Sequence, residues 1–334
     1  MVPQTVAAFT LPIQRVRAIV DLAGRRGWDT AAMLAEAGIS PALLARGRSR
    51  VTVEQAVRMV QWLWRSTDDE LFGLGLQPMP RGTFRLVCFA LLSASTVGAA
   101  IRRFSGFRTS LPGFPPVTLH VVGDEARVVF DIGEIRQPVG LIVDTMLMTA
   151  HRFLGWAAGA PIRLRRVEMP YPPSDLDDYD LIFGAPVRFS AAAPALVFDA
   201  AVLDTPLLRD EDDLLAFLSN APSAVLGPPD YAVSVTAQVR RILARGLHGD
   251  WPGVDAIAAE LAMSPPTLRR RLREEHTSPR EIREQILRDA AIASLVRGDE
   301  TVAALSRRLG FSEPSSFSRA FRRWTGSPPG SYRP

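Results

Sequence analysis

AAELAMSPPTLRRRLREEHTSP (258–279) and LSRRLGFSEPSSFSRAFRRWTGSP (305–328) are two versions of one pattern. Leu261, Met263 and Ser264 match Leu309, Phe311 and Ser312 at an offset of 48 residues. After one inserted residue the offset becomes 49, and Leu268, Arg270, Leu272, Ser278 and Pro279 match Phe317, Arg319, Phe321, Ser327 and Pro328. Each version predicts a short helix, a tight turn and a second helix that carries arginine. That is the layout of a helix-turn-helix, whose second helix can lie in the major groove of DNA.

The wheel sharpens this. With Leu268 at zero and about 100° per residue, Leu272 falls near 40° and the two define an inward face. Arg270 falls roughly opposite, near 200°, flanked by Pro266 and Arg273, with Arg269 at the side. In the second version Phe317 and Phe321 point in, and Ser315, Arg319 and Arg322 point out. A serine is expected to cap each second helix, Ser264 before Pro265 in one and Ser312 in the other. An arginine fork can bond guanine O6 and N7 together. Ser264, Thr267, Arg273, Ser312 and Arg322 suit phosphate contact, which fixes register without reading sequence. A single helix of this kind would be as well explained by a solvated arginine face. Its recurrence, with the same inward pair, favours the nucleic-acid surface. Between the copies, Ser278-Pro279-Arg280-Glu281 is a capping box that opens a helix through Ile282, Ile286, Ala290 and Leu295.

The totals agree. All 39 basic residues are arginine, which a GC-rich genome explains by itself. Their distribution carries more: 17 arginines against 11 acids lie from Ala232 onward, leaving 22 against 24 in the rest. A basic tail on a near-neutral body suits a polyanionic partner. At 334 residues, 47% hydrophobic and 22% charged, the chain reads as about two globular domains. One cysteine, Cys88 in the apolar run LVCFALL, excludes an internal disulfide framework and a cysteine-rich zinc site. No signal peptide and no apolar run of about 18 residues is present, so a cytoplasmic protein without a membrane span is expected.

Upstream, residues 1–10 read as a loose end, followed by small helices. One runs from Leu11 towards Gly27, one from Asp29 or Thr30 to Gly38, one opens at Ser40-Pro41, and one starts at the Thr52/Gln55 capping box. Thr83–Arg103 reads as a long apolar helix interrupted around Ser93–Thr96. Val117–Val122 and Arg127–Ile132 read as strands joined by a Gly123-Asp124 turn. Val139–Ala158 is a second buried helix, and Ile162–Met169, Val187–Phe189 and Ala195–Phe198 are strands. An acidic helix starts at Asp210, with Leu214, Leu215 and Leu218 inward. The expected fold class is therefore an α+β N-terminal domain followed by an all-α domain with two helix-turn-helix motifs. The expected boundaries are 1–220, a linker at 221–230 (APSAVLGPPD), and 231–334.

Residues 232–334, ending in LGFSEPSSFSRAFRRWTGSPPGSYR, resemble the DNA-binding domain of AraC/XylS-type transcription regulators. Carried over by position, the family's base-reading sites fall on Pro266, Arg269 and Arg270 in the first head and on Pro314, Ser315 and Arg319 in the second. The two prolines offer no side-chain donor. DDELFGLGL, LLSASTVGAAIRRF, HRFLGWAAGAPI and YDLIFGAPVRF resemble the effector-binding and dimerisation domain of the family's ornithine- and lipid-regulator subgroup, an arabinose-binding-like domain. The resemblance implies a sequence-specific transcription regulator, homodimeric and under effector control, with double-stranded DNA and RNA polymerase as partners.

Two other readings compete: an architectural DNA-binding protein without an effector, and an enzyme with an autoregulatory helix-turn-helix. Against the enzyme, no GxSxG elbow, HExxH, Walker loop or paired-cysteine spacing occurs, and His120, His151, His248 and His276 are isolated. No catalytic residue, metal ligand or cofactor is expected. Candidate effector-binding residues are His151, Arg152, Trp156 and Tyr171, apolar and aromatic groups with an arginine able to pair a carboxylate such as an amino acid or a fatty acid.

Overall fold

The chain opens on a strand, β1 (Thr10–Pro12), that runs directly into a helix, α1 (Ile13–Arg25). The computed structural model describes residues 9–75, 77–133, 140–173, 179–226, 234–248, 251–275 and 277–333. Val16, Ile19, Leu22 and Ala23 recur at helical spacing and are the buried face of α1. Asp29 caps α2 (Thr30–Ala37) by accepting from the Ala32 amide at 2.9 Å, and Gly38, at φ +66°, closes it in the left-handed region. After α3 (Pro41–Leu44), β2 (Arg50–Thr52) pairs antiparallel with β1, Thr10 opposite Thr52. The Thr52/Gln55 box forms as the sequence predicts: the Thr52 amide donates to Gln55 Oε1 at 3.0 Å and the Gln55 amide to Thr52 Oγ1 at 3.2 Å. It starts α4 (Val53–Thr67).

The apolar stretch from Thr83 forms two helices, α5 (Thr83–Leu92) and α6 (Val97–Ser105), because Thr96 turns extended and caps α6 through the Ala99 amide at 3.2 Å. Then β3 (Val117–Val122) and β4 (Glu125–Phe130) form the predicted hairpin about Gly123, at φ +59°. They join β5 (Leu164–Glu168), β6 (Val187–Arg188) and β7 (Ala195–Asp199) in one sheet of order β3-β4-β7-β5-β6, antiparallel except between β5 and β6. Along β4, Ala126, Val128 and Phe130 are buried, the period of two expected of a sheet with one face on the core. Residues between them carry the ion pairs Arg127–Glu168 and Arg166–Glu125. Two helices, α7 (Gly140–Ala157) and α8 (Tyr179–Phe183), lie between strands in sequence, and α7 packs on β7.

One expectation fails after the sheet, and another reaches beyond the described residues. Leu214 and Phe217 are the buried pair of α9 (Glu211–Ser219), while Leu215, at about 100° from Leu214, is exposed. The stretch expected to link the domains begins as a helix, α10 (Ala221–Leu226), packed on α7 and α9, and its prolines at 228 and 229 lie outside the described residues.

The terminal helices are α11 (Val235–Ala244), α12 (Val254–Glu260), α13 (Pro265–Glu274), α14 (Pro279–Arg297), α15 (Val302–Arg308) and α16 (Pro314–Thr325). Residues 231–233, the expected start of α11, fall outside the described set.

The chain packs as two units, Met1–Ala56 with Val233–Pro334, and Val57–Ala232. This departs from an N-terminal domain running from residue 1 to 220: β1 and β2 pack on α14. Residues 1–8 of the expected loose end lie outside the described residues, and its last two, Phe9 and Thr10, are buried. Among the described residues no helix is long and apolar enough to cross a membrane, and no cluster of three metal-ligating side chains occurs.

Candidate DNA-reading surface and effector residues

The two heads are built on the same turn. In the first, the Met263 amide donates to Ala258 O at 2.9 Å and the Ala262 amide to Ala259 O at 3.0 Å. In the second, Phe311 donates to Ser306 O and Gly310 to Arg307 O, both at 3.0 Å. This pair of bonds ends a helix through a left-handed residue, Ala262 at φ +52° in one copy and Gly310 at φ +81° in the other.

The following helices present what the wheel predicts. Leu268, Leu272, Phe317 and Phe321 are fully buried. Pro266, Arg269, Arg270 and Arg273 are exposed, as are Pro314, Ser315, Arg319 and Arg322. Burying each inward side chain stabilises by roughly 1.5–3 kcal/mol, so the inward pair sets the roll of the helix and the arginines must face out. Their packing differs in kind. The first head is aliphatic, with Val239, Ile242, Leu243, Ile257 and Ile282 around Leu268 and Leu272. In the second, Phe311, Phe317, Phe321, Trp324 and Tyr332 form a chain of ring contacts 5.3 to 6.2 Å apart.

The caps also differ, and here the expectation of two serine caps fails. Ser264 accepts from the Thr267 amide at 3.3 Å and caps α13, with its hydroxyl 2.8 Å from that of Thr267. The N-cap of α16 is Glu313, whose side chain makes no capping bond. Proline favours the first helical position, and the inserted residue puts Glu313 between Ser312 and Pro314. Ser312 is left exposed one place too early.

Two of the outward arginines are lightly held. Arg270 pairs with Glu274 at 2.6 Å, one turn along the helix and well exposed, and Arg319 Nη2 donates to Ser316 Oγ at 3.2 Å. An exposed i,i+4 pair is worth about 0.3–0.5 kcal/mol, against about 1–3 kcal/mol for a bidentate arginine–guanine contact. Glu275, which sequence reasoning overlooked, accepts from the Val235 and Thr236 amides at 3.0 and 2.8 Å and fixes the start of α11 on the end of α13.

In the other unit the four candidate effector residues have internal partners. His151 Nε2 lies 2.8 Å from Ile162 O, so that nitrogen carries the proton. Burial, with Arg152 beside it, pushes the imidazole down to about 4 despite the bond to Ile162. Arg152 donates to Ile182 O at 2.7 Å. Trp156 stacks on Phe217 at 4.5 Å, with Arg209 over its ring at 5.9 Å. Tyr171 bonds to Asp144, which also accepts from the Tyr179 hydroxyl at 3.1 Å. Burial and the Asp144 charge push the Tyr171 phenol up. The structure therefore brings Tyr171 and Arg152 to opposite ends of α8 and turns His151 and Trp156 elsewhere. Asp144, a buried acid within LIVDTMLM, was missed by sequence reasoning. Its one signal was a charge inside an apolar helix.

Comparison with known proteins finds one family model on each part of the chain. Residues 27–207 match the family described as the arabinose-binding domain of AraC transcription regulator, N-term, and residues 257–334 match a helix-turn-helix domain family. The Ornithine utilization regulator of Pseudomonas aeruginosa is 24% identical over 99% of this chain and 98% of its own length. An uncharacterized HTH-type transcriptional regulator of Mycobacterium tuberculosis is 28% identical over 96% of this chain and 95% of its own. The HTH-type transcriptional regulator VqsM of Pseudomonas aeruginosa is 39% identical over 55% of this chain and 57% of its own. With its twice-built helix-turn-helix and the α+β domain before it, the chain belongs to the AraC family of DNA-binding transcription regulators.

Proposed function

We propose that the chain is a sequence-specific regulator that reads base edges through α13 and α16, works in the cytoplasm as a homodimer, and takes a small-molecule effector in residues 57–232. One observation carries the base reading: an arginine opposite a fully buried hydrophobic pair, presented by the same left-handed turn in both heads. Arg269, Arg270, Ser315 and Arg319 are the side chains that reach bases, and Pro266 and Pro314 contribute shape rather than hydrogen bonds. Ser264, Thr267, Arg273, Ser312 and Arg322 hold phosphates. A small carboxylate is the favoured effector class. Buried Arg152 supports it, as does similarity along nearly the whole chain to a regulator named for ornithine utilization.

The test has two arms. Selection of duplexes from a random library by the full-length chain should enrich one sequence, and its affinity should exceed that for scrambled duplex by at least ~1000-fold. Binding that depends on salt but not on sequence would leave an architectural protein instead. In a thermal-shift series, amino acids or fatty acids should raise the melting temperature in a concentration-dependent way. A flat series would remove the carboxylate.

A further inference from the structure

Asp289, in the middle of α14, is completely buried and yet surrounded by cations from three parts of the chain. It accepts from Arg240 on α11 at 2.7 Å, from its neighbour Arg288 at 3.1 Å and from the Thr10 hydroxyl of β1 at 2.6 Å. Arg50 of β2 reaches back to Thr10, its Nε to the hydroxyl and its Nη2 to the carbonyl, both at 2.8 Å. From the same segment three tethers run to the end of the second head. The Arg50 amide donates to the Tyr332 hydroxyl at 3.1 Å, the Ser49 and Ser327 hydroxyls lie 3.4 Å apart, and Arg46 donates to Gly326 O at 2.9 Å.

We infer that residues 9–52 are a strap that bolts the two DNA-reading heads together and sets the distance between them, with Thr10, Arg46, Arg50 and Asp289 as its positioning residues. α11, which packs on α13, belongs to the first head, and Gly326–Tyr332 closes the second. The strap touches the second directly and the first through Asp289. The helix between the heads, α14, has 19 residues and is about 28 Å long. Successive major grooves recur about every 34 Å along one face of the duplex. Two heads on one helix meet both grooves only if their pitch and roll about it are fixed; α16 and the turn after it pack on α14 directly, and the strap adds the bonds at Gly326, Ser327 and Tyr332 to that packing. A buried carboxylate shared by α11 and the strap suits that fixing, because a charge held by several directed bonds has one geometry. No family boundary beginning at residue 27 anticipates this use of β1.

The inference rests on both heads reading DNA, and the test separates the two. The duplex selected by the full-length chain is rebuilt with one to five base pairs inserted between the two contacted segments, and binding is measured across the series. The wild type should lose about tenfold or more on insertion, the size of a mismatched base pair. Thr10→Val in the full chain should flatten that loss to within about threefold while leaving binding to a single-head duplex and its salt slope unchanged. A structural defect would lower all duplexes alike. Should the Thr10→Val unit fail to melt cooperatively, Arg46→Ala, which removes an exposed tether, carries the test. Either folded variant keeping the wild-type spacing profile overturns the strap. A wild type indifferent to spacing overturns the two-headed reading beneath it.

Discussion

If Arg270 and Arg319 read bases as proposed, their worth is a difference between sequences. Arg270→Ala and Arg319→Ala should each cost about 1–3 kcal/mol on the selected duplex and much less on scrambled DNA, measured by fluorescence anisotropy. Equal losses on both would make them phosphate contacts. His151 makes a different prediction. Its imidazole is held at about 4, below the ordinary 6.5, so the unfolded chain takes up a proton first as pH falls. Stability from this site is present above pH 6.5 and lost between there and about 4, on the order of 3 kcal/mol in all. His151→Gln should remove that limb from a urea-unfolding series against pH. Burial alone would push the Asp289 carboxyl up. The charges of Arg288, Arg240 and Arg50 and the Thr10 hydroxyl outweigh burial and hold it below 3.8. Its stabilising contribution is therefore present above the unfolded value and disappears only as pH falls through the folded one. Asp289→Asn should destabilise at neutral pH by about 3–5 kcal/mol, as expected when a buried ion pair loses one partner.

The heads show how much of an element local sequence dictates. The inward pair and the outward arginine follow from 100° per residue, and the Ser264 cap from a serine before a proline. What the repeat concealed is that one inserted residue, Glu313, displaces the matching serine from the cap of α16. Sequence similarity reported chemistry there, and the position of Pro314 decided the geometry. The turn carries a testable asymmetry. Ala262 occupies the left-handed region at φ +52°, where a Cβ costs roughly 1–2 kcal/mol. Ala262→Gly should therefore raise stability by about 1 kcal/mol, and Gly310→Ala should lower it by a similar amount. Nothing lies within 4 Å of a Cβ built on Gly310, so its penalty would be backbone strain alone. Equal and opposite shifts in chemical-denaturation midpoints would check this.

At the scale of the chain, residues 9–52 pack with the helices that carry the two heads. Residues 232–334 expressed alone leave Asp289 without Thr10 and Arg50, and Tyr332 without the Arg50 amide. They should unfold about 10 °C or more below the corresponding transition of the full chain, roughly 2 kcal/mol for a domain of this size. Calorimetry of the two proteins measures it, and matched transitions would show that the strap adds nothing to stability. Sequence by itself determined the heads, the sheet strands and the α+β class, because each follows from a periodicity or a cap confined to a few neighbouring residues. Only the tertiary structure decided that β1 belongs with α14, that Asp144 gathers Tyr171 and Tyr179, and that His151 and Trp156 face different neighbours. The reason is physical: a buried polar residue is specified by partners distant in the chain, here 279 residues apart for Thr10 and Asp289, and no local pattern encodes such a pairing.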